Sequence, residues 1–197
     1  MVEADDARIS DETLIGRTAA GDAAAFGRLV RRHQAAVYRF ALACSPEGAE
    51  KIAEEIAEEI LQETFRAARA AARRHRDEPS ALPWLLAIAR QVAERRRTHS
   101  REPREADLAS LRELARAAGW GEPSRLAGGA PDAHAVESAL AALLPEDREI
   151  LTLCDREYFT VDEAARVADA SEAVVRARLH RARLRLAARL REGSHGD

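Results

Sequence analysis

Apolar residues recur along this chain at three- and four-residue spacing, with no useful length of the alternation that marks a strand, which predicts an all-α fold. Ser10-Asp11-Glu12 starts a short helix carrying Leu14 and Ile15, and Gly21-Asp22 ends it and opens a longer one through about Ala43. Phe26, Leu29, Val30, Val37, Phe40 and Ala41 mark the inward face of that helix. After the turn signal Ser45-Pro46-Glu47-Gly48, the tetrapeptide Ile-Ala-Glu-Glu occurs twice, at Ile52 to Glu55 and Ile56 to Glu59. Isoleucine at every fourth position drifts slowly round a helix and gives an apolar edge beside an acidic flank. The acid then gives way to base: Arg66, Arg69, Arg73, Arg74, His75 and Arg76 follow Phe65 with no carboxylate between them, an orientation that also suits the helix dipole.

Asp77-Glu78-Pro79-Ser80 closes this element, and Leu82, Trp84, Leu85, Ile88, Ala89 and Val92 give the next helix a wide apolar face ending at Arg95-Arg96-Arg97. Glycine and proline then punctuate the chain as far as Pro131, around one amphipathic piece at roughly Ala106 to Ala118. Two further helices follow, one around His134 to Leu143 and one with Pro145 in its first turn, a favoured site for proline. The predicted organisation is two small helical domains, residues 1–98 and 133–192, joined by a flexible linker, 99–132, with a short helix in it and a tail at 193–197.

The second domain ends in a helix-turn-helix pattern. Thr160-x-x-Glu163 is a capping box, Asp169-Ala170 interrupts the helix it opens, and Ser171 caps a second helix. There Val175, Leu179, Ala182, Leu186 and Leu190 form one apolar stripe while arginine fills much of the rest. Two short helices joined by a tight turn, the second rich in arginine, have the form that enters a DNA major groove. At 100° per residue, Ala173, Val174, Arg176, Ala177, His180 and Arg181 point away from the stripe. Arg176 suits a bidentate contact to guanine, and Val174 or Ala177 suits a thymine methyl. Arg178, Arg181, Arg183 and Arg185 suit phosphate, which orients the domain without reading sequence; His180 is expected beside phosphate or solvent.

Composition narrows this picture. The chain has 197 residues, 46% hydrophobic and 33% charged, with a net charge of −3, so any nucleic-acid role must come from local segregation of charge. Aromatic content of 4% argues against stacking platforms for single strands as a general mode. Arginine supplies every basic residue but Lys51, a bias that by itself says nothing of phosphate; its placement does. Cys44 and Cys154 form no metal-ligand spacing and are expected as free thiols in helix cores. No nucleophile–base pair, phosphate-cradling loop or metal cluster is legible, so no enzyme and no cofactor is expected. No apolar run approaches a membrane span, and a cytoplasmic protein is expected.

Taken in order, several segments resemble extracytoplasmic-function sigma factors of the sigma-70 family, the small two-domain class of bacterial transcription initiation subunit. They are Asp11-Glu12-x-Leu14-Ile15 with Gly21-Asp22-x-x-Ala25-Phe26-x-x-Leu29-Val30, then Ala57 to Phe65, then Trp84-Leu85-x-x-Ile88-Ala89-Arg90. Leu144-Pro145-x-x-x-Arg148-Glu149-Ile150-Leu151 and Arg178-Leu179-His180-Arg181-Ala182-Arg183 complete the set. The resemblance implies binding to core RNA polymerase, reading of two promoter elements, an anti-sigma partner, and a monomer when free of partners. Glu58, Glu59, Gln62, Glu63 and Phe65 would dock on polymerase. Arg73, Arg74, His75, Arg76, Trp84, Arg90, Gln91 and Arg95 would serve the minus-ten element, though Trp84 equally fits a core position. Ser171, Ala173, Val174, Arg176, Ala177, Arg178, His180 and Arg181 would serve the minus-thirty-five element.

The chain departs from the family pattern at three places. Asp169 stands where the turn usually has glycine, Gln91 where an asparagine is common, and the doubled tetrapeptide adds about eight residues, or about 12 Å of helix. Two other readings stay open at this level: a helix-turn-helix regulator that never joins polymerase, and a helical protein-interaction module.

Overall fold

Side-chain caps set where the first helices begin. Thr13 donates its backbone N–H to Ser10 Oγ at 3.2 Å, opening α1, Asp11–Ala19. Gly21, at φ 97°, turns the chain through the left-handed region. Asp22 then accepts from the amides of Ala24 and Ala25 at 2.9 and 3.0 Å and opens α2, Ala23–Cys44. The computed structural model describes residues 9–45, 50–75, 80–98 and 133–193. The predicted linker, its short helix, Arg76 and most of the Ser45-to-Gly48 turn lie outside the described residues.

α3 spans Glu50–Ala71 and tightens into a 3-10 turn at Ala72–Arg74. The drift of its isoleucines is visible along its length: Ile52 is 54% exposed, Ile56 half-buried and Ile60 1% exposed. α4, Leu82–Thr98, carries Pro83 in its first turn and buries Leu85, Leu86, Ala89, Val92 and Ala93. α2 packs against α1, α3 and α4 and is the spine of this half.

In the second half α5 is Ala133–Ala141 and α6 is Pro145–Leu151. The single helix expected after Pro145 is instead α6 running into a π turn at Thr152–Arg156. Tyr158 follows at φ 57° and 85% exposure, reversing the chain into the Thr160 cap. α7, Val161–Ala168, and α8, Glu172–Gly193, form the helix-turn-helix. Among the described residues every regular element is helical.

The two halves share one apolar core. Leu143, Ile150, Leu151 and Leu153 of the second half join Val37, Cys44, Leu85 and Leu86 of the first, with α6 on α2 and α7 on α4. The sequence left the relative placement of the two halves open, because apolar patterns could not show that parts of each inward face serve the other half.

Candidate nucleic-acid interface

The helix-turn-helix is built by local chemistry. Thr160 Oγ1 accepts from the Glu163 amide at 3.2 Å while the Glu163 carboxylate accepts from the Thr160 amide at 2.8 Å, completing the capping box. Asp169 takes φ 46°, ψ 51°, so the position where glycine is usual is left-handed here as well. The Ala170 amide donates to Ala165 O, and the Val174 amide to Ser171 Oγ at 3.4 Å, which starts α8.

On α8, Val175, Leu179 and Ala182 are buried. Ser171, Ala173, Val174, Arg176, Ala177 and His180 are exposed, and Arg178 and Arg181 are half-buried. The outward strip is thus small apolar groups beside guanidinium, a combination suited to base edges and thymine methyls. Arg176 is held along the helix by Glu172 one turn earlier. The two later arginines differ from expectation. Arg183 donates to Asp155 through Nε at 3.1 Å, and Arg185 pairs with Asp147, so both carry internal ion pairs instead of free charge for phosphate.

The residues expected at the minus-ten element are only partly gathered. His75 stacks on Trp84 with ring centroids 4.3 Å apart and planes at 27°. The buried His75 Nε2 finds no hydrogen-bond partner among the described residues. Trp84 is half-buried against the core, and Arg73 Nε donates to Ala19 O at 3.2 Å. Arg74 and Gln91 are exposed. Arg95 meets Glu63 at 3.4 Å, joining a residue expected at the minus-ten element to one expected to dock on polymerase. Arg90 does not face outward: its guanidinium pairs with Glu149 and with Glu94, each at 2.7 Å.

Of the expected polymerase-docking residues, Glu58, Glu59 and Gln62 are exposed and Glu63 is half-buried. Glu59 and Glu63 both lie within reach of Arg96, at 2.5 and 3.6 Å. Phe65 belongs elsewhere. It is 6% exposed and meets Phe26 edge-on at 6.4 Å, so it anchors α3 to α2 in the core and offers no docking surface.

Three residues quoted in the sequence motifs make buried contacts that the sequence reading did not assign to them. Asp11 is buried and receives Arg32 Nη1 at 2.6 Å, His33 Nε2 at 2.9 Å and the Ala81 amide at 2.8 Å, tying α1 to α2 and to the start of α4. Arg148 is buried and donates to Ala43 O at 3.1 Å, Ala141 O at 2.8 Å and Ser45 O. Glu149 receives Arg90 and lies 3.9 Å from Arg97. Burial pushes the Glu149 carboxyl up, against the pull of Arg90 and Arg97.

Comparison with known proteins gives this geometry a family. Residues 29–102 match the family model for sigma-70 region 2, and residues 133–186 that for sigma-70 region 4. The solved structure of CnrH in complex with the cytosolic domain of CnrY is similar at 28% identity and TM-score 0.60, covering 90% of this chain and 95% of that one. The sigma factor RpoE of Bartonella quintana, in complex with the anti-sigma factor NepR, is similar at 21% identity and TM-score 0.57, covering 84% and 96%. No curated protein matches significantly. Regions 2 and 4 fall in order on the two halves of the helical fold, and the chain belongs to the sigma-70 family of bacterial RNA polymerase subunits, in its two-domain extracytoplasmic-function class.

Proposed function

We propose that this sigma factor binds core polymerase through the acidic face of α3 and reads a bipartite promoter with α4 and α8. The observation that carries the reading is the outward strip of α8, where Ala173, Val174, Arg176 and Ala177 are all exposed at the start of the second helix of a helix-turn-helix. Arg176 reads guanine in the minus-thirty-five element, Val174 or Ala177 meets a thymine methyl, and Arg178 and Arg181 hold phosphate. Ser171 and His180 border the same groove. In the first half Glu58, Glu59, Gln62 and Glu63 dock on polymerase, and Arg73, Arg74, His75, Arg76, Trp84, Gln91 and Arg95 serve the minus-ten element. Arg90 joins them in the polymerase-bound form. The functional units are residues 1–98 and 133–192, with 99–132 as the linker.

The protein acts by binding, with no catalytic group of its own and no cofactor. No described helix is long and apolar enough to cross a membrane, in keeping with work in the cytoplasm. The likeness to CnrH in complex with part of CnrY supports control of this chain by a protein partner, an anti-sigma factor. The test is reconstitution. The purified chain added to bacterial core polymerase initiates on a subset of genomic fragments that core alone ignores. Core that stays silent on every fragment with this chain, yet initiates with another sigma factor, sinks the reading.

A further inference from the structure

The outward strip of α8 begins with an acid. Glu172, the first residue of the helix, is exposed and accepts from Arg176 Nη2 through its Oε2. Four residues set the two side chains about 40° apart round the helix and about 6 Å apart along it, so they share one edge of the strip. Their neighbours are small: Ala173, Val174 and Ala177 are exposed beside them, which lets the start of α8 approach a surface closely. Among the described residues Oε1 of Glu172 accepts no bond. The pair therefore offers an open acceptor next to a guanidinium that has given one N–H to it and keeps others for a ligand. Other acids of the helix-turn-helix are engaged in building it. Glu163 completes the capping box, and Asp162 takes Arg166 at 3.0 Å. A carboxylate in a first turn also favours the helix dipole, and so does its pair one turn on; neither effect calls for an open oxygen on the face that meets DNA.

We infer that Glu172 is a specificity-determining residue of the upstream promoter element: its open oxygen accepts the N4 amino group of a cytosine, while the other holds the Arg176 fork for a nearby guanine. The inference rests on the reading of α8 as the helix that enters the major groove. Chemistry selects the base. An ionised carboxylate has no donor. Guanine and thymine present acceptors in the major groove, and adenine sets an acceptor beside its amino group; cytosine presents a donor alone. Position agrees, since the residues at the start of the second helix of a helix-turn-helix are the ones that reach base edges. The 6 Å between the two side chains spans about two base-pair steps of 3.4 Å, so the cytosine lies within about two base pairs of the guanine. Charge sharpens the choice. Against a wrong base the carboxylate is desolvated without a partner in the field of the phosphates, and that penalty discriminates as much as the correct bond does. Arg176 neutralises the acid locally and makes it tolerable in the groove. In return the carboxylate fixes one corner of the guanidinium before DNA arrives, so less side-chain freedom is lost on binding.

The test uses core polymerase with the full chain, initiating on promoters randomised across the upstream element, with the transcripts sequenced to give base preferences at each position. The native complex prefers cytosine by roughly tenfold at one position, within about two base pairs of the position that Arg176→Ala relaxes. Glu172→Gln keeps an acceptor for Arg176 and gains amide donors, the pattern that suits adenine, so the preference at that one position moves from cytosine to adenine while the guanine is kept. Glu172→Ala abolishes the cytosine preference and weakens the guanine preference several-fold, because Arg176 loses the group that fixes it. Glu172 lies outside the core, so both variants fold, and an unchanged helical circular-dichroism signal checks it. A carboxylate that serves only the helix start gives a different result: both variants lower initiation by the same factor on every promoter, and no base preference moves. That result overturns the inference, and so does a native preference at the neighbouring position for a base other than cytosine. If Arg176→Ala relaxes one position and neither Glu172 variant alters a neighbour, the inference fails and the reading of α8 stands. If Arg176→Ala relaxes no position, both fall together.

Discussion

Replacing Asp11 probes the joint that holds the first half together. Its carboxylate is buried and accepts from Arg32, His33 and the Ala81 amide. Burial would push the Asp11 carboxyl up, but the bonds from His33, Ala81 and Arg32 outweigh it and hold the group well below the usual carboxylate range. Asp11→Ala leaves a buried N–H at Ala81 without its acceptor, which costs about 1–3 kcal/mol, and removes the counter-charge of Arg32 and the hydrogen-bond partner of His33. Arg32 recovers part of its hydration because it is partly exposed, so the net loss comes to about 3 kcal/mol. With a urea slope of about 2 kcal/mol per molar, the midpoint falls by about 1.5 M. Asp11→Asn keeps an acceptor for Ala81 and loses only the charge, so its loss is smaller, about 1–2 kcal/mol. The pH dependence carries a sign. The folded carboxyl titrates below the unfolded value of about 3.9, so its contribution is whole above that value and is lost as pH falls through the folded one. Urea melts followed by circular dichroism at successive pH values therefore show a constant gap between wild type and Asp11→Asn above about pH 5 that narrows below about pH 4. A gap under about 0.5 kcal/mol at neutral pH, the size of an ordinary surface substitution, refutes the reasoning. So does a gap that stays level into strong acid.

Three further outcomes follow from single contacts. Asp169→Gly, at φ 46°, relieves the cost of a left-handed L-residue and raises stability by about 0.5–1 kcal/mol in a thermal melt, whereas Asp169→Val lowers it. Ile60→Ala costs about 2–4 kcal/mol because Ile60 is in the core, while Ile52→Ala, in the first copy of the tetrapeptide, stays within about 0.5 kcal/mol; equal losses would contradict the drift of α3. Arg178→Ala lowers the salt slope of promoter binding by the polymerase complex by about one counterion, and Arg183→Ala, paired to Asp155, leaves it unchanged.

The α-helical plan was legible because caps and apolar period are local. Ser10, Asp22, Thr160 and Ser171 each announce a helix start within three residues, and Val175, Leu179 and Ala182 mark the buried stripe of α8 by spacing alone. Asp169 was legible for the same reason: a left-handed turn depends on one residue's own sterics. What stayed hidden depends on partners far along the chain. Arg90 and Glu149 are ordinary helix-surface residues in isolation and become a buried pair only when α6 lies beside α4. The resemblance implied a docking role for Phe65, but its position on α3 faces Phe26. Arg183 and Arg185 looked like free charge because Asp155 and Asp147 lie on other turns of the second half. The π turn at Thr152–Arg156 has no composition of its own; it leads to Glu157, which accepts from Arg39, and on to the Thr160 cap.

The most direct measurement is to map transcript start sites made by core polymerase with this chain on whole genomic DNA, once with the native protein and once with Arg176→Ala. The account predicts that the native start sites share two spaced sequence elements. It also predicts that Arg176→Ala relaxes a single base position in the upstream element, at a cost of about 1–3 kcal/mol, and leaves the downstream element unchanged. Starts that share no upstream element, or an Arg176→Ala protein that loses every promoter equally, would contradict it.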